Sequence, residues 1–339
     1  MKRKIWLGAL LALVALAWVW WHKQALPDRF ALWVKLPETL SEAPPRDRWA
    51  RALDAPIASV HELAFVLRRA AEDERVMGVV LDLRRGLRGS PAALRELAAA
   101  VESLRARGKP VVAYLEAIGQ GGLWLALHAD QAVLHPMGTV SVQGVGIERW
   151  FVRDLLARVG VRAAVVRAGA YKSFAETFTR TSLSPQARAE AERITARAQA
   201  WLMGEFRRLR PRARWPEDTA YGWRQAAQAF ADAIAQHGGW AEAAKAWGWV
   251  DALATAEALR AQLAERWKLG AKDWVAAERY APELPEKGDL EIVALSGVLG
   301  APGGVDGSEV ARLIEKAAHS PRVRAIVVRC ATGGGSALT

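Results

Sequence analysis

The sequence predicts an α/β protein built around a parallel sheet, and three observations indicate this. Strand-like apolar runs such as residues 78–83 (GVVLDL) alternate with helix-like stretches. The connections between them are short, as in strand–helix–strand units. Hydrophobic residues make up 52% of the 339-residue chain, so a sizeable core can be buried.

The predicted elements follow in chain order. After the strand at 78–83, Ser90 and Pro91 are typical of the N-cap and first position of a helix, which Gly108 can end. A second helix is expected to begin at Ser184 and Pro185, and residues 222–266 predict further helix, interrupted by the sequence HGGW. Three more runs predict strands: KPVVAYLEA (109–117), QAVLHP (131–136) and VRAAVVRAG (161–169).

The N-terminus predicts a membrane anchor. Three basic residues precede an apolar run at residues 5–21, which as a helix would span about 25 Å. Basic residues before such a run stay in the cytoplasm, so the rest of the chain should lie outside. A cleaved signal peptide and a buried core helix are the alternatives.

The net charge of +11 suggests an anionic partner. A domain outside the membrane favours the lipid surface over nucleic acid, so no nucleic-acid partner is expected. The arginine cluster at 207–214 fits a solvated face or a lipid-facing patch. The single cysteine, Cys330, excludes an internal disulfide. The histidines do not follow a metal-binding spacing and no strand leads into G-x-G-x-x-G, so no metal and no cofactor are predicted.

Part of the sequence is repeated. Residues 61–83 align without gaps with residues 308–330, at a constant offset of 247. The first copy continues with a helix and another strand, whereas the second ends in its glycine-rich loop. A parallel strand without a crossover helix leaves one face uncovered, so we expect an N-terminal portion of a longer protein, or another covering for that face. The predicted domains are a cytoplasmic tip and anchor (1–22), a linker (23–56), a first half (57–285) and the start of a second half (286–339).

Two stretches carry residues suited to chemistry. In TGGGS (332–336), backbone N–H groups could converge on a phosphate or an oxyanion, although a tight turn is the simpler interpretation. Ser336 follows this turn, but the G-x-S-x-G nucleophile elbow is incomplete. Lys172 lies in RAGAYKSFAETF (167–178). A lysine acts as a general base only in its neutral form, which burial by Tyr171 and Phe174 or nearby arginines would favour. A surface lysine at a strand end is the alternative.

The segment VVRAGAYKSFAETFTRTSLSPQAR resembles the lysine segment of the signal peptide peptidase A (protease IV) family in its long, duplicated form. The shared pattern is R-x-G-x-Y-K-S, then E-x-F, then S-P-x-A-R. The segments KPVVAYLEAIGQGGLWLAL, WVDALATAEAL and SPRVRAIVVRCATGGGS resemble the same family in the same order, as does the N-terminal anchor.

This resemblance implies a Clp/crotonase-like fold in two tandem halves, anchored in the bacterial inner membrane with the main domain in the periplasm. It implies a Ser–Lys endopeptidase that degrades cleaved signal peptides and that assembles as a ring-like homotetramer. Lys172 matches the general base, and Gly334 and Gly335 match the oxyanion loop. Gln120 stands where the first half would carry a serine, so that half should be a degenerate site. The nucleophile should lie beyond Thr339, and the chain alone is then expected to be inactive.

Two other functions remain open from the sequence. A crotonase-like acyl-CoA enzyme would also use a glycine-rich oxyanion loop. A non-catalytic membrane scaffold would need neither the lysine nor the loop for chemistry.

The glycine loop departs from the family pattern. In place of the family's usual Asn-Ser-Pro before Gly334, the chain has Ala331, Thr332 and Gly333, and the additional glycine loosens the turn.

Overall fold

A computed structural model describes residues 26–42, 59–142, 144–169, 171–215, 222–281, 289–301 and 304–339. The chain divides into two compact units. The first unit comprises Met1–Val140 and Val250–Thr339, and the second comprises Ser141–Trp249. The predicted anchor at residues 5–21 lies outside the described residues. Among those that are described, no helix is both long enough and apolar enough to cross a membrane.

The first unit contains a six-stranded sheet in the order β5-β4-β3-β2-β1-β6, and a separate two-stranded sheet of β7 and β8. Strand β1 pairs in parallel with β2 and β6, β2 with β3, β4 with β5, and β7 with β8. The parallel α/β architecture is therefore confirmed. The strands are β1 Phe30–Lys35, β2 Val76–Asp82, β3 Val111–Gly119, β4 Gln131–Ser141, β5 Ala252–Leu253, β6 Trp274–Ala276, β7 Leu290–Ser296 and β8 Ala325–Ala331.

Helices connect and cover these strands, and side-chain caps fix where several of them begin. Ser59 and Glu62 form a reciprocal capping box at the start of α1. Ser90 caps α2 and Ser184 caps α6, each followed by proline as the sequence predicts. The helices are α1 Val60–Glu72, α2 Pro91–Ala106, α3 Gln120–Ala126, α4 Arg153–Arg158, α5 Glu176–Thr179, α6 Pro185–Leu209, α7 Gly222–His237, α8 Trp240–Ala246, α9 Ala256–Trp267, α10 Ala277–Tyr280 and α11 Gly307–Ala318.

Strand β1 corrects the interpretation of residues 23–56 as a linker throughout. Phe30, Ala31, Leu32 and Val34 are buried, and the strand lies between β2 and β6 inside the sheet. The run FALWVK is buried on both faces and therefore lacks the apolar–polar alternation of a half-exposed strand. The run is only six residues long and lies in a largely polar part of the sequence, so the sequence pattern did not predict a strand there.

The core of the first unit lies where α9 packs on the sheet. The Trp267 ring covers Gly78 of β2, and a Cβ atom at Gly78 would lie 2.7–2.9 Å from three atoms of that ring. The absence of a side chain at Gly78 thus lets the largest aromatic of α9 approach the strand backbone. Val80, Val112 and Leu263 belong to the same buried cluster.

The two-stranded sheet has the architecture that the repeat predicts. Helix α11 begins 247 residues after α1, and each helix leads into a strand that is parallel to the strand before it. Arg329 of β8 forms ion pairs with Glu42 and Glu96 in the first part of the chain. The Glu96 carboxylate also lies 2.8 Å from His61 Nδ1.

The second unit is helical and has an aromatic core. Phe206 stacks on Trp215, Trp215 on Trp249, and Trp249 on Phe230, with ring centroids 4.8–5.4 Å apart. The strand prediction for residues 161–169 is wrong, because residues 161–167 form no strand and Val166 is fully exposed. A β-branched run becomes a strand only when a neighbouring strand accepts its backbone hydrogen bonds.

Candidate active site

Lys172 lies on a tight loop between α4 and α5 and its side chain is exposed. The loop turns at Gly169, whose φ of +100° is in the left-handed region that favours glycine. The Lys172 N–H is 3.4 Å from the Gly169 carbonyl oxygen, and the Arg167 guanidinium donates to the Lys172 carbonyl at 3.2 Å. The backbone on both sides of the lysine is thereby tied to Arg167 and Gly169.

A buried carboxylate connects this loop to the long helix that follows. Glu176 is only 2% exposed. Its Oε2 accepts the Ser184 N–H at 2.9 Å, and its Oε1 accepts from Arg167 at 3.3 Å. The hydrogen bonds from Ser184, supported by Arg167, hold the pKa of Glu176 below its usual value of 4.5. Glu176 therefore stays ionised and joins the loop to the N-cap of α6.

The aromatic neighbours do not bury the lysine within this chain. Tyr171 is 72% exposed and Phe174 is 81% exposed, so the predicted desolvation by these rings is not observed. Arg180, one of the arginines close to Lys172 in the sequence, donates to the carbonyl of Ser182. On the other side of the loop, Arg149 donates to the Ser173 carbonyl and hydroxyl oxygens at 3.2 Å. The loop is thus held by hydrogen bonds while its apolar side chains face outward.

The glycine loop after β8 packs backbone to backbone against Leu299. Ser336 N–H donates to the Leu299 carbonyl, and Leu299 N–H donates to the Gly334 carbonyl, both at 3.0 Å. A Cβ at Gly335 would lie 2.2 Å from the Leu299 oxygen. Gly334 has φ +113° and Gly335 has φ +151°. Both glycines of the predicted oxyanion loop are therefore required by the backbone geometry.

Thr332 also shapes this loop. Its Oγ1 accepts the Gly334 N–H at 3.0 Å and donates to the Gly334 carbonyl at 3.2 Å. The Gly334 N–H is therefore occupied by a neighbouring side chain in this structure. An incoming oxyanion would have to replace the Thr332 hydroxyl at that donor.

Gln120 lies at the first position of α3, directly after β3, and is half-buried. The loop after β2 packs against this helix start, because a Cβ at Gly121 would lie 2.5 Å from the Leu87 carbonyl oxygen. The first half thus places a strand-end loop against a helix N-terminus, with glutamine at the first helical position. A glutamine amide cannot act as the nucleophile that this position would supply.

The predicted residues are distributed over both units. Gln120, Gly334 and Gly335 belong to the first unit, and Lys172 belongs to the second. The anchoring roles of Arg149, Glu176 and Thr332 were not predicted. Glu176 and Ser184 did stand in the quoted sequence pattern, but their separation of eight residues carries no periodic signal for a contact.

The chain is similar to a known peptidase family and to two curated proteins. Residues 103–199, which include Gln120 and Lys172, match peptidase family S49. The chain is 30% identical to Protease 4 of Salmonella typhi over 292 residues, which cover 82% of this chain and 46% of that protein. It is 26% identical to Protease 4 of Haemophilus influenzae over 299 residues, covering 82% and 47%. The chain spans about half the length of these curated relatives.

The sheet and the lysine loop thus belong to an α/β protein in which residues 103–199 are similar to peptidase family S49. The matches confirm the resemblance to the protease IV, or signal peptide peptidase A, family. Among solved structures, the chain is similar to an enoyl-CoA hydratase/carnithine racemase from Magnetospirillum magneticum, at 17% identity and a TM-score of 0.32. The match covers 71% of this chain and 71% of that protein's chain.

Proposed function

We propose that this chain is the N-terminal portion of a membrane-anchored Ser–Lys endopeptidase that degrades released signal peptides. The observation that carries the proposal is Lys172, which lies inside the S49 match on a loop held by Arg167 and Glu176. The partial coverage of both Protease 4 relatives supports a nucleophilic serine supplied from outside this chain. The membrane anchor at residues 5–21, the periplasmic location and a homotetrameric assembly are parts of the same proposal.

In the proposed reaction, the neutral Lys172 amine takes the proton of the serine hydroxyl as the serine oxygen bonds to the scissile carbonyl carbon. The negative charge that forms on the carbonyl oxygen is stabilised by N–H groups of the Gly334–Gly335 loop. The protonated lysine then gives its proton to the leaving amine, and an acyl-enzyme remains. Water, deprotonated by the same lysine, hydrolyses the acyl-enzyme and restores the serine.

The test uses the full-length protein and an apolar peptide substrate. Lys172→Ala should abolish hydrolysis while leaving the circular dichroism spectrum unchanged, because the Lys172 side chain is exposed and only its backbone is tied to the loop. Lys245→Ala is the matched control, since Lys245 is an exposed lysine of the same unit and should retain full activity. Turnover by Lys172→Ala at the rate of the parent enzyme would refute the assignment.

A further inference from the structure

A cavity of about 350 Å³ lies in the first unit, apart from the glycine loop and Gln120. It is lined from three directions: by Trp33 and Lys35 of β1, by β6, and by the first turns of α9. Arg84, which follows β2, completes the lining. Its volume is within the range of cavities that bind small molecules. The lining from β6 and α9 consists of Trp274, Val275, Ala276, Ala256, Glu257 and Arg260.

The topology places this cavity where α/β proteins bind ligands. From β1 the chain passes through α1 to β2 on one side, whereas α9 leads from β5 to β6 on the other side of β1. The strand order therefore reverses between β1 and β6. In open parallel sheets, the crevice beyond the carboxyl ends of the strands at such a reversal is the usual ligand site. Lys35 ends β1 and Arg84 follows the end of β2, so the cavity lies at that edge.

The walls of the cavity are held in place before any ligand arrives. Trp33 Nε1 donates to Asp82 Oδ2 at 2.8 Å, and Arg84 binds both oxygens of the same carboxylate. The Trp33 and Trp274 rings meet edge to face with centroids 5.8 Å apart. The Arg260 guanidinium lies over the Trp274 ring at 5.0 Å. Fixed walls lower the entropy cost of binding.

The charge of the lining favours an anion. Arg84 is neutralised by buried Asp82, which leaves Lys35 and Arg260 against Glu257. The two tryptophans supply an apolar surface beside these cations. We propose that this cavity binds a small carboxylate whose acid group contacts Lys35 and Arg260 and whose apolar, ring-sized group packs on Trp33 and Trp274. The proposal is independent of the Ser–Lys chemistry.

Calorimetric titration of the chain with indole-3-acetate tests the proposal. We expect a dissociation constant of about 1 mM or tighter, given the size of the ligand. Indole-3-acetamide, which has the same ring without the charge, should bind about tenfold more weakly. Lys35→Gln and Arg260→Gln should each weaken binding of the acetate by about the same factor, and both replace exposed side chains. Arg107→Gln, an exposed arginine of the same unit, is the control and should bind as the parent chain does.

Two sources of such a carboxylate are distinguished by a second titration. A tetrapeptide ending in tryptophan is compared with its C-terminally amidated form. Tighter binding of the free-acid peptide than of indole-3-acetate identifies a peptide C-terminus as the ligand, and the reverse order identifies a free aromatic acid. Absence of binding by every probe overturns the proposal. So does equal affinity for acetate and acetamide, or unchanged affinity in both the Lys35 and Arg260 variants.

Discussion

Glu176 offers the sharpest test of how the lysine loop is held. Replacing it with alanine removes the acceptor of the buried Ser184 N–H and one partner of Arg167. Arg167 is 42% exposed at its side chain and can be rehydrated, so the main cost falls on the Ser184 amide. An unsatisfied buried donor costs about 1–3 kcal/mol. That free energy raises the equilibrium constant for opening of the loop about 5- to 150-fold.

Hydrogen–deuterium exchange measures this effect locally, which suits a chain of two units better than a global unfolding curve. Glu176→Ala should accelerate exchange at the Ser184 amide by that factor. It should also accelerate the Ala187 amide, which donates to Ser184 Oγ at the start of α6. Glu176→Gln keeps an acceptor for Ser184 but loses the charge, and its effect should be intermediate.

Glu190→Ala provides the matched control for this experiment. Glu190 also pairs with an arginine, Arg193, but on the exposed face of α6. Exposed pairs of this kind contribute little, so exchange at Ser184 should remain unchanged. Parent-like protection of Ser184 in Glu176→Ala would show that the carboxylate does not hold the loop.

A pH series adds a second check. Because the folded-state pKa of Glu176 lies below 4.5, protection of the Ser184 amide should be full above pH 4.5 and should decline as the pH falls through the lowered pKa.

Two further predictions concern the first unit. Gly78→Ala should destabilise it by about 1–3 kcal/mol, because the new methyl group overlaps the Trp267 ring. Hydrogen–deuterium exchange of the β2 amides should accelerate accordingly, and parent-like exchange there would contradict this packing. The side-chain hydrogen bonds from Arg75 are the main reason that the pKa of Asp73 falls from 3.8 to about 2. Burial raises this pKa by a smaller amount, and a hydrogen bond from Tyr280 lowers it further. The stabilisation from Asp73 should therefore be complete above pH 3.8 and disappear as pH falls to about 2. An NMR titration of the Asp73 carboxyl with a midpoint near 3.8 would contradict it.

The sequence predicted those strands and helix starts that depend on residues close together in the chain. The runs at 78–83 and 109–117 lie largely within β2 and β3, because both are long apolar runs bounded by turn residues. Ser90 and Ser184 predicted helix starts because a cap needs only a side-chain oxygen and the next two or three amides. Strand β1 was missed because its six residues gain their stability from β2 and β6, which lie far along the chain.

The anchoring of Lys172 shows the same limit at the site. The lysine itself could be singled out from its sequence neighbours, and the resemblance then gave it a role. The contacts that hold its loop join Arg167, Glu176 and Ser184, separated by intervals of nine and eight residues. Such contacts depend on how the loop folds back onto the start of α6. No helical or strand periodicity predicts them.

The glycine loop shows what geometry adds to a composition signal. The sequence presents three consecutive glycines and cannot say which of them the turn requires. Gly335 is required for space, since a side chain there would overlap the Leu299 backbone, and Gly334 is required for its left-handed φ. A Cβ at Gly333 would meet no atom within 4 Å, and Gly333 has no positive φ. The additional glycine is therefore not needed by this turn, and the constraint on the loop comes instead from Thr332, whose hydroxyl holds the Gly334 N–H.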